Sequence, residues 1–196
     1  MKTFKVIAVG ALAFCGFTAT TVAAHVRTTP RAADCGGNLW RLKTLSDPGR
    51  NAVNLAGRST TIAAIAARRA PSRVPTRRTT PFQKQTWDVV AQITEYRAEE
   101  GELRLVLFDH DQYMNVVVPT PGCLSSSSRA RTDIASTYRD FVTSCGKPND
   151  SWQPLGAVAY VRGVGYWSQR RTAHGTAANG AELHPVTGLR IVAGCG

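Results

Sequence analysis

The stretch His174-Gly-Thr-Ala-Ala-Asn-Gly-Ala-Glu-Leu-His-Pro185 holds two of the chain's four histidines and its only glutamate beyond position 102. Glu182 and His184 stand two apart, so on a strand they share one face and the carboxylate neighbours the imidazole. Such a pair can hold one tautomer, share a proton during hydrolysis or ligate a metal. With His174 folded back as a third donor, two histidines and a glutamate make an acceptable zinc set. Glu182 and His184 are therefore the candidate catalytic residues, and His174, Glu182 and His184 the candidate metal ligands. The plainer alternative is a loop closing onto the last strand: Asn179-Gly180 makes a turn, Glu182 accepts backbone hydrogen bonds, and His184 packs beside Pro185. The H-E-x-x-H spacing of zinc hydrolases is absent. Asp109-His110-Asp111 puts two carboxylates around a histidine, which suits a divalent cation, but polar residues are expected at a hairpin tip in any case. No G-x-S-x-G elbow, P-loop or dinucleotide fingerprint occurs, and no cofactor is expected.

Binding chemistry is better supplied. Between Asp47 and Asp88 there is no acidic residue, yet eight basic ones fall there: Arg50, Arg58, Arg68, Arg69, Arg73, Arg77, Arg78 and Lys84. Arg68, Arg69, Arg73, Arg77 and Arg78 lie on a connector whose Pro71, Pro75 and Pro81 favour an extended chain without regular pairing. Five arginines on such a strand can contact phosphates, anionic glycans or an anionic membrane surface, or can simply form a solvated linker. Tyr166-Trp167-Ser-Gln-Arg170-Arg171 sets two aromatics beside two arginines, a composition for stacking on bases or sugar rings, although one ring can equally plug the interior.

These residues need a scaffold. Trp87, Val89, Ala91 and Ile93 alternate with polar neighbours and predict a strand that ends in the polar turn Arg97–Glu102. Leu103–Phe108 and Gln112–Val118 read as a hairpin about Asp109–Asp111. Ile134, Tyr138, Phe141, Val142 and Cys145 recur at helical spacing on one face. Ala157–Trp167, with Gly163 and Gly165 permitting a bulge, and Leu189–Ala193 predict two final strands. A short helix capped by Ser59 or Thr60 carries Ile62, Ile65 and Ala66. The expected fold class is mainly β with one or two helices: an OB-like five-stranded barrel, β-β-β-α-β-β, over 82–196, with 25–81 as an N-terminal extension. In such a barrel, the exposed face of the second and third strands, with Arg104 and Tyr113, is where an oligonucleotide or oligosaccharide binds.

Residues 1–24 have the lysine-bearing start, apolar run and small-residue end of a secretory signal, with Val22-Ala-Ala24 at the cleavage site. The apolar run is short for a membrane span, and the mature chain has no other candidate. Without Lys2 and Lys5 the formal charge of +11 becomes +9. Cys35, Cys123, Cys145 and Cys195 remain, an even number that in an exported chain implies two disulfides. Of the three possible pairings, Cys123 with Cys145 would bracket the helix and Cys35 with Cys195 would tie the ends together. The expected location is secreted or periplasmic.

Trp40-Arg-Leu-Lys-Thr-Leu-Ser-Asp47 and Asn179-Gly-Ala-Glu-Leu-His-Pro-Val186 resemble a family of uncharacterised exported bacterial proteins, with W-x-x-K-T-L-S-D and N-G-x-E-L-H-P-V as its motifs. Asn179, Glu182 and His184 match that pattern. The resemblance implies export and brings no assigned activity. The functional expectation from the residues is a disulfide-stabilised binding module for a polyanion, either nucleic acid or an anionic glycan. The competing expectation is a metal-dependent hydrolase or nuclease using His174, Glu182 and His184.

Overall fold

The computed structural model describes residues 35–168 and 174–195. The expected signal segment, the first part of the expected extension, and Arg170 and Arg171 lie outside the described residues.

The chain is mainly β, with six strands and three α-helices among the described residues. In chain order these are α1 (Trp40–Lys43), β1 (Asn54–Ser59), α2 (Ile62–Ala66), β2 (Gln85–Glu99), β3 (Glu102–Asp109), β4 (Gln112–Pro119), α3 (Arg131–Cys145), β5 (Gln153–Trp167) and β6 (Ala181–Ala193). The three predicted strands between Trp87 and Val118 are present and joined by two tight hairpins. Glu99 pairs with Glu102 and Asp109 with Gln112, leaving two-residue turns at Glu100-Gly101 and His110-Asp111. All four turn residues have positive φ, between 44° and 77°, the geometry that matches the right-handed twist of paired strands. Asp109-His110-Asp111 is thus a hairpin tip, with His110 exposed to solvent.

Pairing runs in a ring: β2 with β3, β3 with β4, β4 with β6, β6 with β5, and β5 back to β2. β4 meets β6 in parallel at Val116 and Leu183, whereas the other contacts in the ring are antiparallel. β1 adds a sixth strand outside the ring, parallel to the start of β2. Its short Asn-Leu-Ala-Gly-Arg-Ser segment carries no apolar alternation, so it gave no strand signal. The last strand is also longer than the predicted Leu189–Ala193. Its first six residues, Ala181–Val186, are all buried on both faces, which removes the alternation that marks a half-buried strand.

Leu103, Leu105 and Leu107 of β3, Met114, Val116 and Val118 of β4, and Leu183 of β6 are fully buried inside the ring. α3 closes one end with Ile134 and Phe141, as its predicted apolar face requires, and the Phe141 ring meets Tyr96 edge-on at 5.0 Å between centroids. α2 sets Ile62 and Ile65 into the same core, so the described part of the 25–81 extension is packed onto the ring. Its cap is Thr61, whose hydroxyl accepts from the Ala64 amide at 3.1 Å, one residue later than expected.

Two disulfides staple this arrangement, and their pairing corrects the expected one. Cys35 joins Cys123 with 5.4 Å between Cα atoms, and Cys145 joins Cys195 at 4.9 Å. The reason is where the helix ends: α3 packs against β6, so its last residue meets the segment just beyond that strand. Cys123 instead sits in a 3-10 turn after β4, beside α1, where its carbonyl accepts from Trp40 Nε1 at 3.2 Å.

Candidate functional site: a charged cleft on the outer face of the ring

On β3 the inward residues are Leu103, Leu105 and Leu107, so Glu102 and Arg104 project from the opposite face. On β6 the same alternation sends Leu183 inward and Glu182 and His184 outward, as expected for residues two apart on a strand. The β4–β6 junction brings these two outer faces together, and α1 lays Lys43 over them. The result is a buried ionic cluster. Lys43 Nζ lies 3.4 Å from Glu102 Oε1, and His184 Nε2 lies 3.3 Å from the same oxygen. His184 Nδ1 is 4.0 Å from Glu182 Oε2. Arg104 reaches Glu99 at 2.7 Å, Glu182 at 3.6 Å and Glu102 at 3.8 Å.

Charges this deep are costly unless paired, and the pairing explains their ionisation. Burial opposes ionisation of Glu102, but His184, Lys43 and Arg104 outweigh it and hold the carboxyl down to about 2. Burial likewise works against the Arg104 cation, and Glu182, Glu99 and Glu102 more than compensate, raising its pKa. His184 is fully buried, and burial pushes its pKa below the ordinary value while the neighbouring Glu102 carboxylate works against that shift. Both its ring nitrogens lack a well-aligned hydrogen bond. Tyr166 packs on the His184 ring with centroids 5.4 Å apart, and burial followed by Glu182 and Glu102 raises its phenol.

Above the cluster opens a cleft of about 750 Å³. Its floor includes Glu102, Arg104, Asn115, Tyr166 and Glu182, and one wall is the Gly37–Leu39 segment, held by the Cys35–Cys123 bond. Trp152 and His174 also line it, with Val74 and Thr76 from the arginine connector. Asn115 Nδ2 donates to the His174 carbonyl at 3.3 Å and to Thr176 Oγ1 at 3.4 Å, which pins the loop entering β6. Arg97 stacks on Trp152, its guanidinium carbon 4.6 Å from the ring centroid.

The structure divides the sequence candidates. Glu182 and His184 converge, but His174 does not join them. Its Nε2 contacts Glu95 at the cleft rim and its side chain is half exposed. The three-ligand metal set is therefore not assembled, and among the described residues no group of three His, Cys, Asp or Glu side chains is arranged to hold a metal. His184 also has no exposed surface through which to reach a substrate.

The connector is not a free strap along its whole length. Arg69, Arg73 and Arg77 are exposed. Arg78, expected beside them as a binding residue, is 6% exposed and bonds Asp47 Oδ1 through Nε at 3.1 Å and Nη2 at 3.0 Å. It also donates to the carbonyls of Leu42 and Gln83. Arg68 sits over Trp87, its guanidinium carbon 4.2 Å from the ring centroid. Trp167, expected as a stacking platform, is a core residue whose Nε1 donates to Thr80 Oγ1 at 3.0 Å, and only Tyr166 of the pair faces the cleft. Arg104 stands in the cleft as the expected face required, whereas Tyr113 packs on Phe108 at the far hairpin. Glu99 and Glu102 stood in the sequence only as members of a polar turn, and Lys43 only as the lysine of the Trp40–Asp47 motif.

No family model matches the chain, and no curated protein matches it in sequence. Among solved structures it is similar to a chain described as an aspartyl-tRNA synthetase from Leishmania major Friedlin, with 12% identity and a TM-score of 0.45. That likeness covers 72% of this chain and 22% of the other, so this chain spans about a fifth of its length.

Proposed function

We propose that the protein is an exported, disulfide-stabilised binding module whose cleft takes an oligosaccharide bearing acidic groups. The observation that carries the reading is the lining of the cleft, in which Glu99, Glu100, Glu102 and Glu182 alternate with Lys43, Arg97 and Arg104. Sugar hydroxyls can donate to the first set and accept from the second, satisfying both at once. Phosphates of a nucleic-acid strand lying in the cleft would meet Glu99, Glu100, Glu102 and Glu182, whereas a sugar can turn neutral hydroxyls to these carboxylates and hold its acidic groups at the rim. Acidic substituents on the sugar reach Arg73 and Arg77, which are exposed on either side of the cleft-lining Val74 and Thr76.

The ring order supports the same reading. Strands paired as β2-β3-β4-β6-β5, a parallel closure between β4 and β6, and α3 between β4 and β5 are compatible with the plan of an OB barrel to which β1 is added. OB barrels hold oligosaccharides or oligonucleotides across the second and third strands and the adjoining loops. In this chain β3 and β4 occupy those positions and carry Arg104 and Asn115. The resemblance of the Trp40–Asp47 and Asn179–Val186 motifs to those of exported proteins belongs to the same proposal, since those motifs contribute Lys43, Glu182 and His184 to one cluster.

Calorimetric titration with a heparin-derived tetrasaccharide, and with a single-stranded oligonucleotide of matched charge, tests this. Glycan affinity should exceed nucleic-acid affinity and fall with added salt. The double variant Arg73→Gln, Arg77→Gln should weaken glycan binding by about tenfold, as expected for two rim charges. Binding that ignores salt, absence of binding at low salt, or a preference for the oligonucleotide would overturn the reading.

A further inference from the structure

We infer that Arg58 and Arg68 form a second site, separate from the cleft, that binds a tetrahedral oxyanion, with the Trp87 indole as its base. β1 ends at Arg58–Ser59, and its parallel register sets Arg58 opposite Trp87. Arg68 follows α2 and returns to the same ring. Its guanidinium carbon is 4.2 Å from the Trp87 centroid, and that of Arg58 is 5.8 Å from it. Phe82 closes one side, 5.7 Å from Arg68. Two cations thus approach one indole ring.

Neither cation is neutralised within the described residues. Arg68 Nε is buried without a hydrogen-bond partner. The adjacent carboxylate on β2, Asp88, is committed to Arg162 through bonds of 2.7 and 2.9 Å. No other acidic residue occurs between Asp47 and Asp88, so the segment that builds this corner contains no counter-charge. Holding two like charges together against an aromatic surface is unfavourable, and a bound anion removes the penalty. Burial, followed by the charge of Arg58, lowers the Arg68 pKa, which shows the same mutual repulsion. Guanidinium forks match the geometry of sulfate and phosphate oxygens, and the indole shields their inner faces from water. The exposed Arg58 leaves the outer side open for the anion to enter. This site does not depend on what occupies the cleft. The group it takes is either a free ion or a sulfate or phosphate ester on a larger molecule.

The test is a titration of the intact, oxidised protein followed through the side-chain Nε–Hε resonances of its arginines. Sodium sulfate and sodium phosphate are compared with sodium chloride at constant ionic strength, and then with glucose 6-sulfate. The Arg68 resonance should move saturably with sulfate and phosphate. Arg58→Gln should weaken that response by about tenfold, the loss of one charge-assisted contact, while Arg69→Gln leaves it intact. In chloride alone Arg58→Gln should melt no lower than wild type, because a repulsive contact has been removed. Tighter binding of glucose 6-sulfate than of sulfate would show that the site reads an ester, and equal binding a free ion. Equal, unsaturable shifts with chloride, or an unchanged response in Arg58→Gln, would refute the proposal. Either result would leave the cleft reading untouched, because Arg58 and Arg68 do not line the cleft.

Discussion

Replacing Glu102 by glutamine isolates the electrostatic design of the cleft floor. In the folded chain its side chain is 2% exposed, touches Lys43 and His184 at 3.4 and 3.3 Å, and has its pKa held down to about 2 from an ordinary value of 4.5. A group whose pKa is depressed by folding stabilises the fold where it is ionised in both states. That contribution is therefore complete above pH 4.5. As the pH falls from 4.5 towards 2, the unfolded chain takes up a proton that the folded chain resists, and the stabilisation disappears. At about 1.4 kcal/mol per tenfold change in proton affinity, the interval corresponds to roughly 3 kcal/mol. Glu102→Gln keeps the shape and removes the titration. The assay is urea unfolding, with disulfides intact, at a series of pH values from 7 down to 2. Wild type should exceed the variant by about 3 kcal/mol at neutral pH, and the gap should close across the window from 4.5 to 2. Stability curves that run parallel through that window would show that Glu102 is not held as an ionised carboxylate by its neighbours, and the account of the cluster would fail.

Two further outcomes follow from the described contacts. Arg78→Met leaves the buried Asp47 carboxylate and the Leu42 and Gln83 carbonyls without their donor, and should cost about 3–5 kcal/mol in the same unfolding assay. Its exposed neighbour Arg77→Met should change stability by less than about 0.5 kcal/mol. The double variant Cys35→Ser, Cys123→Ser releases the Gly37–Leu39 wall from the turn after β4, so the free energy of unfolding should drop by about 2–4 kcal/mol and oligosaccharide affinity should fall more than in a variant of the Cys145–Cys195 bond.

Much of the scaffold was legible because its signals are local. The alternation from Trp87 to Ile93, the helical spacing from Ile134 to Cys145 and the hairpin tip at Asp109–Asp111 each depend on residues a few positions apart, and each appears in the structure where the pattern placed it. The turn expected over Arg97–Glu102 narrows to Glu100-Gly101, because β2 continues to Glu99 in register with β3. The strand that carries the cleft chemistry was hidden for the opposite reason. Ala181–Val186 is buried on both faces, and its Glu, His and Pro imitate a loop. Within the arginine connector, Arg77 and Arg78 have the same chemistry and adjacent positions, yet one is exposed and the other is buried against Asp47, 31 residues earlier in the chain. Nothing local separates them.

By itself the sequence determined the strand and helix periodicities, the number of cysteines available for two bonds, the acid-free basic segment, and the shared face of Glu182 and His184. Only the tertiary structure decided which cysteines meet and that Lys43, Glu102, Arg104 and Glu182, drawn from α1, β3 and β6, neutralise one another. The physical reason is range. Periodicity is set by backbone geometry over a few residues, whereas the partner of a buried charge is set by sheet register. Here that register brings together groups 59 residues apart, as for Lys43 and Glu102, or 78 apart, as for Arg104 and Glu182.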